Sequence, residues 1–478
     1  MRKTKIVCTI GPATESKEIL EKMIDEGMNV ARINFSHGDY EEQSARIDAI
    51  KNVREKLKKP VALMLDTKGP EIRIGKFETG EINLEEGDTF TLLNEDILGD
   101  KKKVSVTYKN LADEISIGTT ILINDGLIEC KVENIEGKDI ICKVLNGGKL
   151  TDRKSINIPN SKINLPSLTE KDKNDIKFGV ENDFDYIAAS FIRKPEDVLE
   201  IRNVLKEYGG DNIKIISKIE NREGVDNFDA ILEVSDGIMV ARGDLGVEIP
   251  MEEVPIYQKK FIQKCCQVGK PVITATQMLE SMISTPRPTR AEVSDVANAV
   301  YDQTSCIMLS GETAVGKYPT QCIQTMNKIA KSVETNIKYW KRSRRREDIK
   351  FDNYEYNLNR SVANTARDID ADVIFAYTQT GDTPRMLSSF LSECSIIALT
   401  STKKTFEQLA MVWNVMPVLI EDKQEPNDII EAGIKKAKEL GYVKDGDLAV
   451  IAGGASILEK YNTGDEMMNK TIGGILRI

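Results

Sequence analysis

The chain has 478 residues, 40% of them hydrophobic and 30% charged, with a formal net charge of −10. This length predicts two or three domains, and the acidic balance argues against nucleic-acid binding. No apolar run approaches the roughly 18 residues of a membrane span, and the start lacks an apolar signal segment. Because the cysteines show no C-x-x-C spacing, we expect buried thiols and a cytoplasmic location, with no membrane partner.

Short apolar runs alternate with helical periodicity through most of the chain. The runs that predict strands are Lys5–Ile10, Val30–Phe35, Val61–Thr67, Tyr186–Phe191, Ile213–Glu220, Gly237–Asp244, Pro271–Gln277 and Cys306–Ser310. Helical patterns such as Val254–Val268 and Arg290–Tyr301 lie between them. Eight consecutive βα units favour a closed TIM (β/α)8 barrel over an open doubly wound sheet. We assign it residues 1–69 and 167–340.

Between the third and fourth barrel strands the apolar period changes to two. The alternating runs are Glu71–Phe77, Glu81–Leu84, Thr89–Leu93, Val104–Thr107, Thr119–Ile123, Glu129–Ile135 and Asp139–Leu145. Turn signals such as Asn-Asp-Gly and Asn-Gly-Gly separate many of them. They predict a small antiparallel β-barrel domain, residues 70–166, inserted at the loop face of the larger barrel. We interpret it as a mobile lid.

A third domain is predicted for residues 341–478. It begins with the basic run Lys341–Arg346, which we interpret as a solvated connector rather than an anion site. The apolar runs that alternate with helical segments beyond it are Val373–Tyr377, Ser395–Thr400, Val415–Ile420 and Asp447–Ala452. This alternation is typical of a parallel α/β sheet.

Polar side chains follow several predicted barrel strands. Lys218 and Glu220 are two residues apart, so on a strand they face the same way. Asp244 follows the next strand in a Gly-Asp-Leu-Gly turn, where Gly243 permits close backbone approach to an anion. Ordinary structural ion pairs are the plain alternative.

Two further strands end in polar residues. Arg32, Asn34 and Ser36 alternate along one strand, and Asp66 and Thr67 end another. Mg²⁺ prefers few carboxylates together with substrate oxygens. Phosphoryl transfer needs charge neutralisation and positioning more than a nucleophile. The set therefore indicates metal-assisted chemistry on a phosphorylated, carboxylate-bearing substrate.

Three other features have weaker functional interpretations. His37 is the only histidine, which excludes a two-histidine metal site; its alternatives are an acid–base group and a plain polar turn. Gly311–Lys317 resembles a P-loop, but Tyr318 replaces the required Ser or Thr, so we interpret it as the closing loop of the barrel. Thr378–Thr383 predicts either a phosphate cradle or an ordinary capped helix start.

A series of motifs runs in order along the barrel sequence. They are Lys-Ile-Val-Cys-Thr-Ile-Gly-Pro-Ala, Ala-Arg-Ile-Asn-Phe-Ser-His-Gly, Leu-Asp-Thr-Lys-Gly-Pro-Glu-Ile-Arg, Ile-Ser-Lys-Ile-Glu-Asn, Val-Ala-Arg-Gly-Asp-Leu-Gly-Val-Glu, Thr-Ala-Thr-Gln-Met-Leu-Glu-Ser-Met and Leu-Ser-Gly-Glu-Thr-Ala. Together they resemble the pyruvate kinase family, in its bacterial three-domain form without an appended phosphohistidine-like domain. The resemblance covers essentially the whole chain.

The resemblance implies transfer of the phosphoryl group of phosphoenolpyruvate to ADP, giving pyruvate and ATP, the final step of glycolysis. It implies Glu220 and Asp244 as ligands of Mg²⁺ or Mn²⁺, and Lys218 as the charge beside the moving phosphoryl group. Arg32 and Thr276 are implied as further catalytic residues. The residues implied to bind substrate are Arg32, Gly243, Asp244 and Thr276. Those implied to bind nucleotide are Arg73, Lys154, Asn34 and His37.

The family resemblance also implies a K⁺ ion, a homotetramer and an effector site. The implied K⁺ ligands are Asn34, Ser36, Asp66 and the Thr67 carbonyl, with Glu71 at the position whose acid accompanies K⁺ dependence. The effector residues, for a sugar phosphate, are Thr378, Thr380, Gly381 and Thr383.

Some positions depart from the family pattern. Ser155 stands where a glycine is usual, and Gln303 and Ser305 replace an expected Gly and Asp. An Ala-Gly-Gly-Ala loop replaces the usual Ala-Gly-x-Pro, and Asp382 adds negative charge to the cradle, which argues against sugar-phosphate control. A barrel lyase without nucleotide and a non-catalytic metabolite sensor are the alternative functions.

Overall fold

The structure is a computed structural model that describes residues 1–159, 161–339, 341, 354–422, 426–452 and 475–478. Two of the predictions fall mostly outside these ranges. Residues 342–346 of the basic connector and residues 453–460 of the Ala-Gly-Gly-Ala loop are not among the described residues.

The strands are numbered along the chain. Strands β1 to β3 span Lys5–Thr9, Val30–Asn34 and Ala62–Asp66. Strands β4 to β12 span Ile72–Arg73, Glu81–Leu84, Thr89–Leu93, Lys103–Ser105, Thr120–Ile123, Ile128–Glu136, Asp139–Asn146, Gly148–Thr151 and Ser155–Asn157. Strands β13 to β17 span Tyr186–Ala189, Lys214–Ile219, Gly237–Ala241, Val272–Ala275 and Cys306–Leu309. Strands β18 to β22 span Val373–Tyr377, Ser395–Thr400, Val415–Leu419, Leu448–Ala452 and Ile475–Arg477.

The described helices are numbered in the same way. Helices α1 to α8 span Lys17–Glu26, Tyr40–Leu57, Leu111–Glu114, Glu170–Glu181, Pro195–Glu207, Arg222–Asp226, Phe228–Val234 and Arg242–Glu248. Helices α9 to α16 span Val254–Gln267, Arg290–Tyr301, Gly311–Ala314, Pro319–Glu334, Tyr354–Asp368, Asp382–Ser389, Lys403–Gln408 and Pro426–Glu439. Short 3₁₀ turns span Met251–Glu253, Glu280–Ile283 and Leu409–Met411. None of the helices in the described ranges has both the length and the apolar character that a bilayer crossing requires.

Within the described part of the chain, parallel strands close a barrel in the order β1-β17-β16-β15-β14-β13-β3-β2. The TIM-barrel prediction is therefore confirmed, and the open sheet is wrong. Nearly every strand residue is buried, because helices cover the outside while side chains such as Met64, Ile216 and Met239 fill the inside. Helices α4 and α10 begin at capping boxes formed by Thr169 and Thr289.

The inserted segment is a β structure, as predicted. Its described strands form a seven-stranded sheet, β4-β12-β8-β9-β10-β6-β7, and a two-stranded sheet, β11-β5. Pairing is antiparallel except between β6 and β7. An Ile74–Val106 bridge joins the two ends of the larger sheet, where the Thr107 N–H donates to the Arg73 carbonyl at 2.9 Å. Because β11 and β12 are short, their alternation escaped the sequence prediction. The domain limits stay a prediction.

The C-terminal part carries a sheet of order β20-β19-β18-β21-β22 among its described residues. The predicted parallel strands are present, but β22 pairs antiparallel with β21.

The amino ends of the barrel strands rest on this C-terminal part. Met411 belongs to the cluster of apolar side chains inside the barrel. The Tyr186 hydroxyl donates to the Gln408 carbonyl, and the buried Lys5 ammonium donates to the Val415 carbonyl, each at 2.6 Å. The barrel is thus sealed at the end opposite to its carboxyl-terminal loops.

A buried ion cluster lies at the same interface. Arg54 of α2 is 2.9 Å from Glu407 of α15 and 3.4 Å from Asp185. Lys404 is 3.2 Å from Asp185. Burial raises the pKa of Glu407 to about 7. The positive charge of Arg54 lowers this pKa in part, whereas the negative charge of Asp185 raises it further.

Candidate active site

The carboxyl ends of the barrel strands bring together most of the predicted site residues. Arg32 and Asn34 lie in β2, Asp66 ends β3, and Lys218 lies in β14. The predicted residues that follow a strand, in the next loop or helix turn, are Ser36, Thr67, Glu220, Gly243, Asp244 and Thr276. This is the face at which TIM barrels place their active sites.

Lys218 lies in a buried cluster of charges. Its ammonium is 2.9 Å from a Glu220 oxygen and 3.2 Å from an Asp66 oxygen. The Arg32 guanidinium is 2.6 Å from the other Asp66 oxygen and donates to the Thr9 hydroxyl at 2.7 Å. Within the described residues the Nη2 group of Arg32 has no hydrogen bond, so it keeps N–H donors for an incoming anion.

The charges of this cluster stabilise one another. Burial opposes ionisation of Asp66, but Arg32 and Lys218 outweigh it and hold the pKa of Asp66 below its ordinary value. Burial also opposes the charged form of Lys218, yet Asp66, Glu220 and Asp244 raise its pKa above the ordinary lysine value. Lys218 is therefore protonated at neutral pH, a state that suits a fixed positive charge better than a general base.

Glu220 and Asp244 are carboxylates in different surroundings. Glu220 is buried and accepts a hydrogen bond from the Phe191 N–H at 2.6 Å, whereas Asp244 is exposed near the start of α8. Burial raises the pKa of Glu220 to about 7, against the attraction of Lys218 and with the help of the Asp244 charge. A bound cation would restore the ionised form of Glu220.

The donor set fits a metal ion that completes its coordination with substrate. In the described ranges, no cluster of three or more His, Cys, Asp or Glu can hold a metal by itself. Mg²⁺ commonly takes one or two carboxylates and fills its other positions with water and substrate oxygens. The Glu220 and Asp244 carboxylates suit that mode.

Ser190 is a residue of this cluster that the sequence analysis missed. Its hydroxyl accepts from Lys218 at 2.8 Å and donates to the Thr67 carbonyl at 2.7 Å. The same hydroxyl is 3.4 Å from Asp66. Ser190 directly follows β13, so the strand-end signal that singled out Thr67 would have found it.

The backbone at Thr276 is strained. Thr276 and Gln277 have φ angles of +72° and +53°, which are rare for residues with a side chain and most of all for a β-branched one. The Thr276 hydroxyl accepts from the Gly243 N–H at 2.8 Å, and the Thr276 carbonyl accepts from Arg242 at 2.6 Å. These bonds hold the loop in a conformation that such a residue seldom adopts.

The Gly311–Lys317 segment follows the last barrel strand, as the closing-loop interpretation predicts. Glu312 in α11 is fully buried, and its carboxylate accepts from the N–H groups of Leu279 at 3.0 Å and Ser310 at 2.7 Å. It therefore ties the loop that contains Thr276 to the loop after β17.

The predicted nucleotide residues lie partly on the inserted sheet. β4 and β12 pair Arg73 with Ser155, so Arg73 lies beside Lys154. Arg73 is 2.6 Å from Glu71, the residue that the sequence analysis connected with K⁺. His37 is exposed in the turn after β2. Because Ser155 lies in the ordinary backbone of β12, the missing glycine leaves no strain there.

The predicted K⁺ ligands lie on two adjacent strand ends. Asn34 and Asp66 are register partners across β2 and β3, and Thr67 follows Asp66. The Asn34 side-chain oxygen accepts from the Ser36 N–H at 3.0 Å. Oxygens of this kind are those that replace the hydration shell of K⁺ in proteins.

The predicted effector residues lie at the junction of β18 and α14, and they are Thr378, Thr380, Gly381 and Thr383. The Gly381 N–H donates to the Thr378 hydroxyl at 2.8 Å. Asp382 accepts from the Thr380 hydroxyl at 2.5 Å and from Arg385 at 2.6 Å. Burial opposes its charge, but Arg385 outweighs that effect and holds the pKa of Asp382 below the ordinary value. The junction therefore already contains an anion of its own.

A closed (β/α)8 barrel defines the class of protein as a TIM barrel, and paired cations and carboxylates lie at the face where such barrels place their active sites. The sequence matches the family models described as "Pyruvate kinase, barrel domain" over residues 1–323 and "Pyruvate kinase, alpha/beta domain" over residues 357–464. The chain belongs to the pyruvate kinase family.

Individual relatives agree with this assignment. A pyruvate kinase of Clostridium acetobutylicum is 51% identical over 455 residues, covering 95% of this chain and 96% of that protein. One of Bacillus licheniformis is 48% identical, covering 97% of this chain and 81% of that protein. The crystal structure of a pyruvate kinase from Cryptosporidium parvum superposes with a TM-score of 0.93 at 39% identity, covering 100% of this chain and 96% of that one.

Proposed function

We propose that this protein is a pyruvate kinase, which transfers the phosphoryl group of phosphoenolpyruvate to ADP and releases pyruvate and ATP. The observation that carries the proposal is the Lys218 cluster, in which the Lys218 ammonium and the Arg32 guanidinium contact opposite oxygens of Asp66 and Lys218 also contacts Glu220. Membership of the family supports the reaction.

In this proposal Arg32 binds the phosphoryl group of the substrate. Lys218 offsets the charge that moves with that group, because its raised pKa keeps it protonated. All three of its N–H donors now contact Asp66, Ser190 and Glu220. A cation that binds Glu220 would compete for one of these contacts and leave a Lys218 donor for the phosphoryl oxygen.

Glu220 and Asp244 are the proposed ligands of Mg²⁺ or Mn²⁺, an ion that would neutralise the carboxylate and phosphoryl oxygens of the substrate. Gly243 and Thr276 hold the carboxylate end of the substrate beside it. The Thr276 hydroxyl accepts from the Gly243 N–H at 2.8 Å and donates to the Ala275 carbonyl at 2.6 Å, so the substrate carboxylate would replace these hydrogen bonds when it binds.

The nucleotide and the K⁺ ion occupy the neighbouring region in this proposal. The proposed nucleotide residues are Arg73, Lys154, Asn34 and His37. The proposed K⁺ ligands are Asn34, Ser36, Asp66 and Thr67. Because Arg73 is paired with Glu71, we expect ADP to compete with that carboxylate for the guanidinium. Full activity in buffer without potassium and sodium would contradict the K⁺ proposal.

The test of the function is pyruvate release from phosphoenolpyruvate that requires both ADP and Mg²⁺. Lys218→Met should lower kcat by several orders of magnitude, since it removes a charge from the transition state. Lys214→Met is the matched control, because Lys214 begins the same strand but is 3.9 Å from its nearest acidic partner, Asp236, away from the site. An unchanged kcat in Lys218→Met would refute the assignment. Pyruvate release without ADP would instead favour a lyase.

A homotetramer and a cytoplasmic location stay proposals. All eight cysteines lie in the described residues, none forms a disulfide and all are buried, which supports a reducing compartment. Sedimentation analysis would test the tetramer. For the effector site at Thr378–Thr383, we expect a weak response to sugar phosphates because Asp382 would repel them, and phosphoenolpyruvate saturation curves with added sugar phosphate would measure it.

A further inference from the structure

The inserted sheet contacts the barrel through a hydrogen bond beside the proposed metal site. The Asn157 side-chain N–H donates to a Glu248 carboxylate oxygen at 2.8 Å. Asn157 is the last residue of β12, and Glu248 is the last residue of α8. We refer to this pair as the Asn157–Glu248 contact.

The two residues of the contact lie near different parts of the proposed active site, Asn157 near the nucleotide residues and Glu248 near the metal ligands. Lys154, proposed to bind nucleotide, directly precedes β12. Asp244, proposed to bind the metal ion, lies in the first turn of α8. Helix α8 has 7 residues, so its length is only ~10 Å at about 1.5 Å per residue. A movement of its last residue, Glu248, is therefore expected to move its first turn as well.

The inserted sheet also approaches the same helix at a turn between two of its strands. A Cβ built on Gly126, in the turn between β8 and β9, would lie 3.7 Å from a methyl carbon of Val247. Asn157 and Asp244 also line one cleft together with Asp125. The inserted sheet therefore lies close to α8 at Gly126, and the Asn157–Glu248 hydrogen bond is the directional contact between them.

We propose that Asn157 and Glu248 are positioning residues that couple binding at the nucleotide end of the site to binding at the metal and substrate end. The proposal rests on the pyruvate kinase function. Ordering of Lys154 by a nucleotide fixes β12, and the Asn157–Glu248 contact then fixes α8 and the carboxylate of Asp244. In thermodynamic terms, each ligand lowers the cost of ordering the element that the other ligand needs.

The chemistry of the pair suits this role. Glu248 is a partly buried carboxylate, and its hydrogen bond with an amide is charge-assisted, which makes it stronger and more directional than a neutral one. Leu245, on the helix between Asp244 and Glu248, is fully buried. Its burial holds the middle of α8 against the barrel, between the two carboxylates.

The coupling can be measured with Mg²⁺, K⁺, ADP and pyruvate. This mixture does not react, because it contains neither phosphoenolpyruvate nor ATP as a phosphoryl donor. Calorimetric titration of ADP with and without saturating pyruvate gives the coupling factor as a ratio of two dissociation constants. We expect Asn157→Ala and Glu248→Ala each to lower this factor by about tenfold. The double variant should lower it no further, since both changes remove the same bond.

Two control variants separate coupling from stability. Glu248→Gln keeps an oxygen that accepts from Asn157, so it should retain most of the coupling that Glu248→Ala loses. Asn146→Ala removes an amide hydrogen bond of the same length, 2.8 Å to the Leu127 carbonyl, but within the inserted sheet, and it should leave the coupling factor unchanged.

The outcomes distinguish this proposal from the function on which it rests. A wild-type protein without ADP-dependent pyruvate release would refute the pyruvate kinase function. An active wild-type protein whose coupling factor is unchanged in Asn157→Ala and Glu248→Ala would overturn the role of the contact alone. An equal loss of coupling in Asn146→Ala would also overturn it, because the effect would then come from weakening the inserted sheet.

Discussion

Replacing Glu407 by glutamine is expected to make the protein more stable at neutral pH and to change little at pH 5. Glu407 is buried beside Arg54 and Asp185 where the C-terminal part meets the barrel. Burial raises its pKa from 4.5 to about 7 in the folded state. A carboxyl group with a raised pKa binds its proton more tightly when folded, so its contribution to stability is present at low pH and is lost as pH rises through about 7.

The size of the effect follows from the two pKa values. Each unit of pKa corresponds to about 1.4 kcal/mol. The interval between 4.5 and about 7 therefore sets an upper limit of about 3.5 kcal/mol for the effect on the free energy of unfolding. Glutamine has the shape of the protonated side chain and cannot ionise, so the free energy of unfolding of Glu407→Gln lacks this pH dependence.

Urea unfolding of wild type and Glu407→Gln between about pH 5 and pH 8 would measure the difference in their free energies of unfolding. Tryptophan fluorescence can report the transition, because Trp413 is buried next to Tyr339. Glu55→Gln is the matched control, because the exposed Glu55 pairs with Lys403 across the same interface. It should show no comparable trend. If wild type gained stability relative to Glu407→Gln with rising pH, the attraction of Arg54 would outweigh burial and the reasoning would be wrong.

Three further variants test other features. Burial lowers the pKa of Lys5 to about 7, so the folded state loses this proton at lower pH than the unfolded state does. Wild type should therefore gain about 2 kcal/mol in free energy of unfolding relative to Lys5→Met between about pH 7 and pH 9. Urea unfolding would measure this gain, and a difference that does not change with pH would contradict the prediction. Glu312→Gln replaces one of the two acceptor oxygens by an NH₂ group that faces a backbone N–H. It should lower the free energy of unfolding by about 1–3 kcal/mol and raise KM for phosphoenolpyruvate. An unchanged melting temperature would count against the role of Glu312 in tying the two loops together. In Arg242→Lys the side chain cannot donate to the Ala275 and Thr276 carbonyls at the same time in the geometry of a guanidinium. KM for phosphoenolpyruvate should therefore rise about tenfold while KM for ADP stays unchanged. An equal rise of both KM values in steady-state kinetics would refute this prediction.

The barrel strands could be predicted from sequence because each is a continuous apolar run, which is how strands covered on both faces appear. β11, β12 and β22 escaped because they are short and carry no clear period. The antiparallel direction of β22 depends on a pairing across the sheet that no local pattern encodes.

Some features of the candidate site could likewise be predicted from the sequence, and others could not. Lys218, Glu220 and Asp244 could be predicted because they lie near or just after the ends of apolar runs, and Ser190 carries the same signal. The pairing of Glu71 with Arg73 could not, since it depends on side-chain directions at the start of the inserted sheet. The strained backbone of Thr276 could not be predicted either, because the hydrogen bonds that hold it come from Arg242 and Gly243 in α8, far away in the sequence.

Met411 makes the barrel dependent on a distant part of the chain. Its side chain belongs to the core between the barrel strands, while the Gln408 and Val415 carbonyls accept the buried donors of Tyr186 and Lys5. A protein truncated after residue 339 would expose that core and leave two buried polar groups without acceptors. The sequence suggests a chain of separable modules, yet the barrel cannot be expected to survive as an isolated fragment, and any dissection of catalysis from regulation must keep the C-terminal sheet in place.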